Sequence, residues 1–179
     1  GYGNEELIEA LAGQLRTLSY SHMFGGRTHQ VVMDLAEKLT NMVPIENGKV
    51  FFANSGSEAN DSHMKMLRYY FNVTGEPQKK KIITLEPSYH GVTMAAAALT
   101  ALPVMHTHFS IPTDELGIIR TQSPHYYRNK LEGESESQFC ARLIENLEKL
   151  ILTEGPETIA AYIAEPIGGA SGVIVPPDN

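Results

Sequence analysis

The chain has one cysteine, Cys140, in 179 residues. That excludes an internal disulfide framework and favours a reducing cytosol over a secretory route. Basic residues are few: 14 Lys and Arg stand against 21 Asp and Glu, a formal net charge of −7. With no basic face implied, no nucleic-acid partner is expected. No apolar run approaches the roughly 20 residues that cross a bilayer, so no membrane contact is expected. Internal repeats, linkers and low-complexity tracts are missing too. The seven histidines lack the paired spacing of a zinc site, apart from His106-x-His108, which has no cysteine or acid pattern beside it; no metal is expected. No signal peptide opens the sequence, and Gly1 in place of a methionine gives the expectation that the true N-terminus lies upstream. Without a secretory signal the sequon Asn72-Val73-Thr74 carries little weight.

What is present is ordinary for a globular domain: 42% hydrophobic and 20% charged residues, enough for a sizeable core. Asn4 can cap a helix carrying Leu7, Ile8, Leu11, Leu15 and Leu18 at helical spacing. Gly25-Gly26 breaks it, and Thr28 can cap a second helix. Val50–Ala53 reads as a strand, followed by a helix from about Glu58 to Asn72. Ile82–Leu85 is a second strand, and the alanine-rich segment from Val92 to Thr100 a helix packed closely on a sheet. From Pro103 to Glu136, through Pro112 and Pro124, the periodicity fails and a long surface excursion is expected. Ser135-x-x-Gln138 is a capping box opening a helix with Phe139, Leu143, Leu147 and Ile151 on one face. Gly155-Pro156 closes it before a third strand, Ile159–Ala164. Alternating strands and helices predict an α/β fold, a mainly parallel sheet with helices on both faces.

In such sheets ligands gather at the carboxyl ends of the strands. Three suspicious stretches each begin where one of the predicted strands ends. After the first, Asn54-Ser55-Gly56-Ser57 admits two readings: a turn in which Ser57 is an N-cap, or an anion cradle of the Gly56 and Ser57 amides with the Ser57 hydroxyl. The Gly-Lys-Ser/Thr ending of a nucleotide loop is missing, so a smaller phosphate ester suits it better. After the second, Tyr89-His90-Gly91 is either a packed turn or a flat ring placed to stack on an aromatic cofactor. After the third, Glu165-Pro166 follows a strand without charge. Its carboxylate either reaches solvent or is paired in a site. Gly168-Gly169-Ala170-Ser171-Gly172 then allows close approach. Cys140 has no local activating group and reads as packing.

In this order the segments Phe51-Phe52-Ala53-Asn54-Ser55-Gly56-Ser57-Glu58-Ala59-Asn60-Asp61, Ser88-Tyr89-His90-Gly91 and Ala164-Glu165-Pro166-Ile167-Gly168-Gly169-Ala170 resemble the class III pyridoxal-phosphate-dependent aminotransferases. Arg27-Thr28-His29, Gly75-Glu76-Pro77, Gly155–Ala161 and Gly172–Pro177 extend the likeness over nearly the whole chain. It looks closest to the ω-amino acid or amine:pyruvate members. Two departures are Gly169-Ala170-Ser171-Gly172 for Gly-Ala-Gly-Gly, and Thr100-Ala101 for Thr-Gly.

The resemblance implies that residues 1–179 are part of the large domain of a fold-type I transferase that uses pyridoxal 5′-phosphate. Gly56 and Ser57 would bind the cofactor phosphate. Tyr89 would stack on the ring with His90 supporting it, and Glu165 would hydrogen-bond the aspartate that pairs with the ring nitrogen. Phe24 would reach across a homodimer interface into the partner's pocket, and Ala170 would line the chain's own. Substrates would be an amino donor and a keto acid such as pyruvate, used in a ping-pong cycle. Family patterning puts the covalent lysine and the aspartate downstream, so no catalytic residue is assigned within the chain and the chain by itself is expected to be inactive. Lys65, Lys79–Lys81, Lys130 and Lys149 do not replace that lysine. The rivals are another fold-type I reaction, racemisation or decarboxylation, and a truncated, non-catalytic module.

Overall fold

The computed structural model describes residues 1–178. They fall into two compact units, the second beginning at Ala53. In the first, α1 (Glu5–Thr17) is capped as expected by Asn4, whose side chain accepts from the Leu7 amide at 3.0 Å. A single 3-10 turn, Phe24–Gly26, follows, with Gly25 and Gly26 in the left-handed region. Before α2 (Gln30–Met42) the cap position is held by His29, not Thr28, and it makes no side-chain bond to the helix. Val50–Ala53, expected as a strand, is extended backbone that enters no ladder with any described residue. Its β-forming residues are present, but a strand exists only through a partner.

The second unit is built on α3 (Gly56–Val73), β1 (Lys81–Glu86), α4 (Met94–Leu99), β2 (Ile118–Gln122), α5 (Tyr126–Asn129), α6 (Glu136–Glu154) and β3 (Ile159–Ile163). The strands form a parallel sheet in the order β2-β1-β3. β2 lies inside the segment expected to be a surface excursion, so that expectation fails at its centre. The Ser135–Gln138 capping box opens α6 as predicted.

The chain steps from β1 to β2 in one direction through α4, then back past β1 to β3 through α6. Since crossovers keep a right-handed sense, opposite steps put α4 and α6 on opposite faces of the sheet. α3 packs with α4. Their face of the core joins Met64, Ala98 and Leu99 to Ile82 of β1 and Ile118 of β2. Ile83 and Leu85 alternate to the other face. On that side Phe139 of α6 is fully buried, edge-on to Tyr126. Glu134 forms an ion pair with Arg142 at 2.7 Å and closes the loop before α6. Among the described residues no helix is long and apolar enough to cross a membrane.

Candidate active site

The start of α3 decides what Ser57 is free to do. Ser55 holds the N-cap: its hydroxyl accepts from the Glu58 amide at 3.1 Å, and the Glu58 carboxylate accepts from the Asn54 amide at 2.6 Å. Ser55 is therefore the N-cap, so the cap expected at Ser57 is already filled, and the Glu58 carboxylate reaches one residue past the cap to the Asn54 amide. The Ser57 oxygen instead accepts from the Val92 amide at 3.0 Å, which leaves its proton to donate. The Gly56 and Ser57 amides sit in the first turn, where the helix provides no acceptor. A Cβ at Gly56 would meet nothing within 4 Å, so this turn opens on free space.

The segment after β1 forms the opposite wall, and side chains of α3 hold it. Asn60 donates from Nδ2 to the His90 carbonyl at 2.6 Å. The Asp61 carboxylate accepts from the Thr93 hydroxyl at 2.8 Å and from the Ala96 amide at 3.1 Å, capping α4 from a neighbouring helix. Gly91 has φ +132°, and a Cβ there would lie 2.5 Å from Ser57 Oγ and 2.8 Å from the Ala96 Cβ. Glycine is required at this contact. Between the walls lies a recess of about 420 Å³, lined by Ser55, Gly56, Ser57, Asn60 and the Tyr89–Gly91 backbone and side chains.

Tyr89 stands at the rim, 37% exposed, while His90 is buried at 8%. His90 donates its amide to Thr100 Oγ1 at 2.8 Å, and its buried Nε2 has no partner among the described residues. Burial lowers its pKa from the ordinary 6.5; the Glu165 carboxylate opposes this and Arg120 adds to it. The imidazole is therefore neutral at pH 7.

The loop after β3 completes the site. Glu165 accepts from the Tyr89 amide through Oε2 at 3.0 Å and from the Gly169 amide through Oε1 at 3.2 Å. Five of the residues singled out in sequence (Gly56, Ser57, Tyr89, His90 and Glu165) therefore meet around one recess or its immediate support. Ala170 follows in an exposed turn. Phe24 belongs to the first unit and is 85% exposed. Asn60, Asp61, Thr100 and Arg120 were not singled out. Asn60 and Asp61 follow Ser57 by three and four positions and share its helix face, a signal available in sequence. A second groove of about 370 Å³ runs along β3, walled mainly by Met64, Met66, Leu67, Ile82, Leu99 and Ile163. Asn60 and His63 also line it, but most of its wall is hydrocarbon continuous with the core cluster around Met64, Ile82 and Leu99.

A family model described as aminotransferase class III matches residues 1–179. The chain belongs to the class III aminotransferases. It is 50% identical over 178 residues to vanillin aminotransferase of Capsicum frutescens, covering 99% of this chain and 38% of that protein. It is equally similar to gamma-aminobutyrate transaminase 1, mitochondrial, of Oryza sativa subsp. japonica, covering 34% of it. Among solved structures, an omega transaminase from Pseudomonas jessenii in complex with PMP superimposes with a TM-score of 0.94 at 49% identity, over 99% of this chain and 39% of that one. A transaminase with L-Ala does so at 0.94 and 50%, over 100% of this chain and 42% of that one. The chain thus spans about two-fifths of the length of its class III relatives, and its fold is the class III fold over that span.

Proposed function

We propose that these residues form the phosphate- and ring-binding part of a transaminase. It would use pyridoxal 5′-phosphate to move an amino group from an amine or ω-amino acid to pyruvate or a similar keto acid. The observation that carries this reading is the division of labour at α3. Ser55 caps the helix, which leaves the Gly56 and Ser57 amides and the Ser57 proton beside the recess. Two amides at the positive end of a helix plus a hydroxyl fit a phosphate ester, and among the described residues no carboxylate lines the recess to oppose it. Tyr89 at the rim offers a ring face. The unpartnered His90 Nε2 is a buried polar atom of the kind that marks an incomplete site.

When bound, pyridoxal 5′-phosphate supplies an aldehyde that takes up amino groups and a ring that accepts an electron pair from the substrate carbon. The chain's own residues bind and orient. Gly56 and Ser57 anchor the phosphate, Tyr89 stacks on the ring, and neutral His90 packs beside it without adding charge. Glu165 fixes the backbone that carries Tyr89. Among the described residues no lysine lines the recess. The proposal therefore assigns the proton-carrying amine, and the aspartate for the ring nitrogen, to residues outside 1–179 in the whole protein. A homodimer with Phe24 entering the partner's pocket, and Ala170 lining the chain's own, belongs to the same proposal; family membership and the exposure of both residues support it.

The test is pyruvate dependence in the whole protein supplied with pyridoxal 5′-phosphate. Amine donor should disappear only when pyruvate is present, with alanine formed in equal amount. Loss of carbon dioxide, or interconversion of enantiomers without a keto acid, would replace transamination with decarboxylation or racemisation. Failure to bind the cofactor would overturn the reading as a whole.

A further inference from the structure

The last carbonyls of a helix have no partner within it, and α4 is only six residues long. One side chain from another element takes two of them and the carbonyl of the C-cap residue Thr100. Arg120, at the centre of β2, donates from Nη1 to the Leu99 carbonyl at 2.6 Å, and from Nη2 to the Ala98 and Thr100 carbonyls at 2.5 and 2.8 Å. Nη1 also donates to Thr84 Oγ1, the residue opposite Arg120 in the β1–β2 register. The guanidinium therefore ties β1, β2 and the end of α4 into one rigid unit. It does not itself line the recess.

Thr100 is the link from that unit to the site. It is fully buried, and His106 Nε2 lies 2.7 Å from its carbonyl. Its hydroxyl accepts from the His90 amide at 2.8 Å and lies 3.2 Å from both the Gly91 and the Ala96 carbonyls, to either of which it can donate. The two residues that carry the rim of the recess thus hang from a hydroxyl whose backbone Arg120 holds. Sequence order hides the connection, since His90, Thr100 and Arg120 are separated by ten and twenty positions.

We propose that Arg120 is a positioning residue for the cofactor site: through Thr100 it fixes the His90–Gly91 backbone, and with it the placement of Tyr89 and His90 against the bound ring. The inference rests on the pyridoxal-phosphate reading above. Its chemistry is specific to a guanidinium. A lysine keeps the charge, but a single ammonium cannot fork to three carbonyls and a hydroxyl at once. A purely structural role would let Arg120 change the melting temperature without changing how tightly the recess holds its ligand.

The experiment uses the whole protein and pyridoxal 5′-phosphate as the probe. It reads the cofactor dissociation constant by absorbance titration and, separately, the melting temperature of the cofactor-free protein. The variants are R120K, T100V, their combination, and T100S, which keeps the hydroxyl. R120K and T100V should each weaken cofactor binding about tenfold. The double variant should also lose about tenfold, not about a hundredfold, because both changes act through one hydroxyl. T100S should bind within about twofold of the parent, the hydroxyl being retained. If the double variant does not fold, R120K against T100S decides. A lowered melting temperature with an unchanged dissociation constant in R120K overturns the proposal, as does a multiplicative loss in the double variant. A parent that fails to bind the cofactor would instead overturn the functional reading itself. A parent that binds while R120K binds equally well removes only Arg120 from the site.

Discussion

The Glu165 carboxylate accepts a hydrogen bond from the Tyr89 amide at 3.0 Å, across 76 positions of sequence. With its second oxygen on the Gly169 amide, this side chain joins the loops after β1 and β3 at the carboxyl edge of the sheet. The loop bearing Tyr89 is therefore set by a residue that follows another strand. Hydrogen bonds to a charged acceptor contribute about 1.5–3 kcal/mol, and Glu165 is only half-buried, so the lower end applies. Glu165→Ala should weaken cofactor binding about tenfold, and Glu165→Gln, which keeps one acceptor oxygen, should fall between. Titration of both variants checks this. Equal affinity in Glu165→Ala would mean that the Tyr89 loop is held elsewhere.

Two glycines near the recess should behave in opposite ways. A methyl at Gly91 would collide with Ser57 Oγ and the Ala96 Cβ, at a φ that side chains avoid. Gly91→Ala should cost about 1–3 kcal/mol of backbone strain alone, and should displace Ser57. A methyl at Gly56 meets nothing, and alanine is favoured over glycine in a helix by up to about 1 kcal/mol. Thermal unfolding of the cofactor-free variants should show Gly91→Ala well below the parent and Gly56→Ala at or above it. The reverse order would contradict the described packing.

His90 gives a pH dependence whose sign follows from its lowered pKa. Burial is the largest cause, with Arg120 adding and Glu165 opposing. As pH falls below 6.5, the unfolded chain takes up this proton before the folded chain does. The stability contributed by neutral His90 is therefore complete above 6.5 and declines as pH drops from 6.5 towards the lowered folded value. His90→Asn should remove that part of the slope. Melting temperatures of parent and variant between pH 5 and 8 measure it. Parallel curves would show that His90 titrates normally.

Much of this was legible in sequence because it is local. Ser135-x-x-Gln138 opens α6, and the uncharged runs at 82–85 and 159–164 are β1 and β3. The Tyr89 and Glu165 loops follow those two strands, as the patterning predicts. β2 was not legible, because its third residue is Arg120. In sequence an arginine among prolines and histidines signals surface, and only the folded chain shows its guanidinium satisfied by the end of α4. Val50–Ala53 misled in the opposite way. Apolar β-formers predict a strand, but pairing depends on a partner that local sequence does not specify. In sequence Ser57 stays open between cap and cradle, because local patterning does not say which serine of Ser55-Gly56-Ser57 begins the helix. The structure gives that role to Ser55.

The proposal that Ser57 binds the cofactor phosphate is tested most directly by comparing two probes that differ in one group: pyridoxal 5′-phosphate and pyridoxal. In the whole protein Ser57→Ala should raise the dissociation constant for the phosphorylated probe by about 10- to 100-fold, the loss of a hydrogen bond to a charged group. It should leave the weaker affinity for pyridoxal unchanged. Ser55→Ala, which removes the cap, should lower the melting temperature through a loss of about 1 kcal/mol while retaining the preference for the phosphorylated probe. If Ser57→Ala weakens both probes alike, or Ser55→Ala abolishes the preference and Ser57→Ala does not, the phosphate is not bound at Ser57.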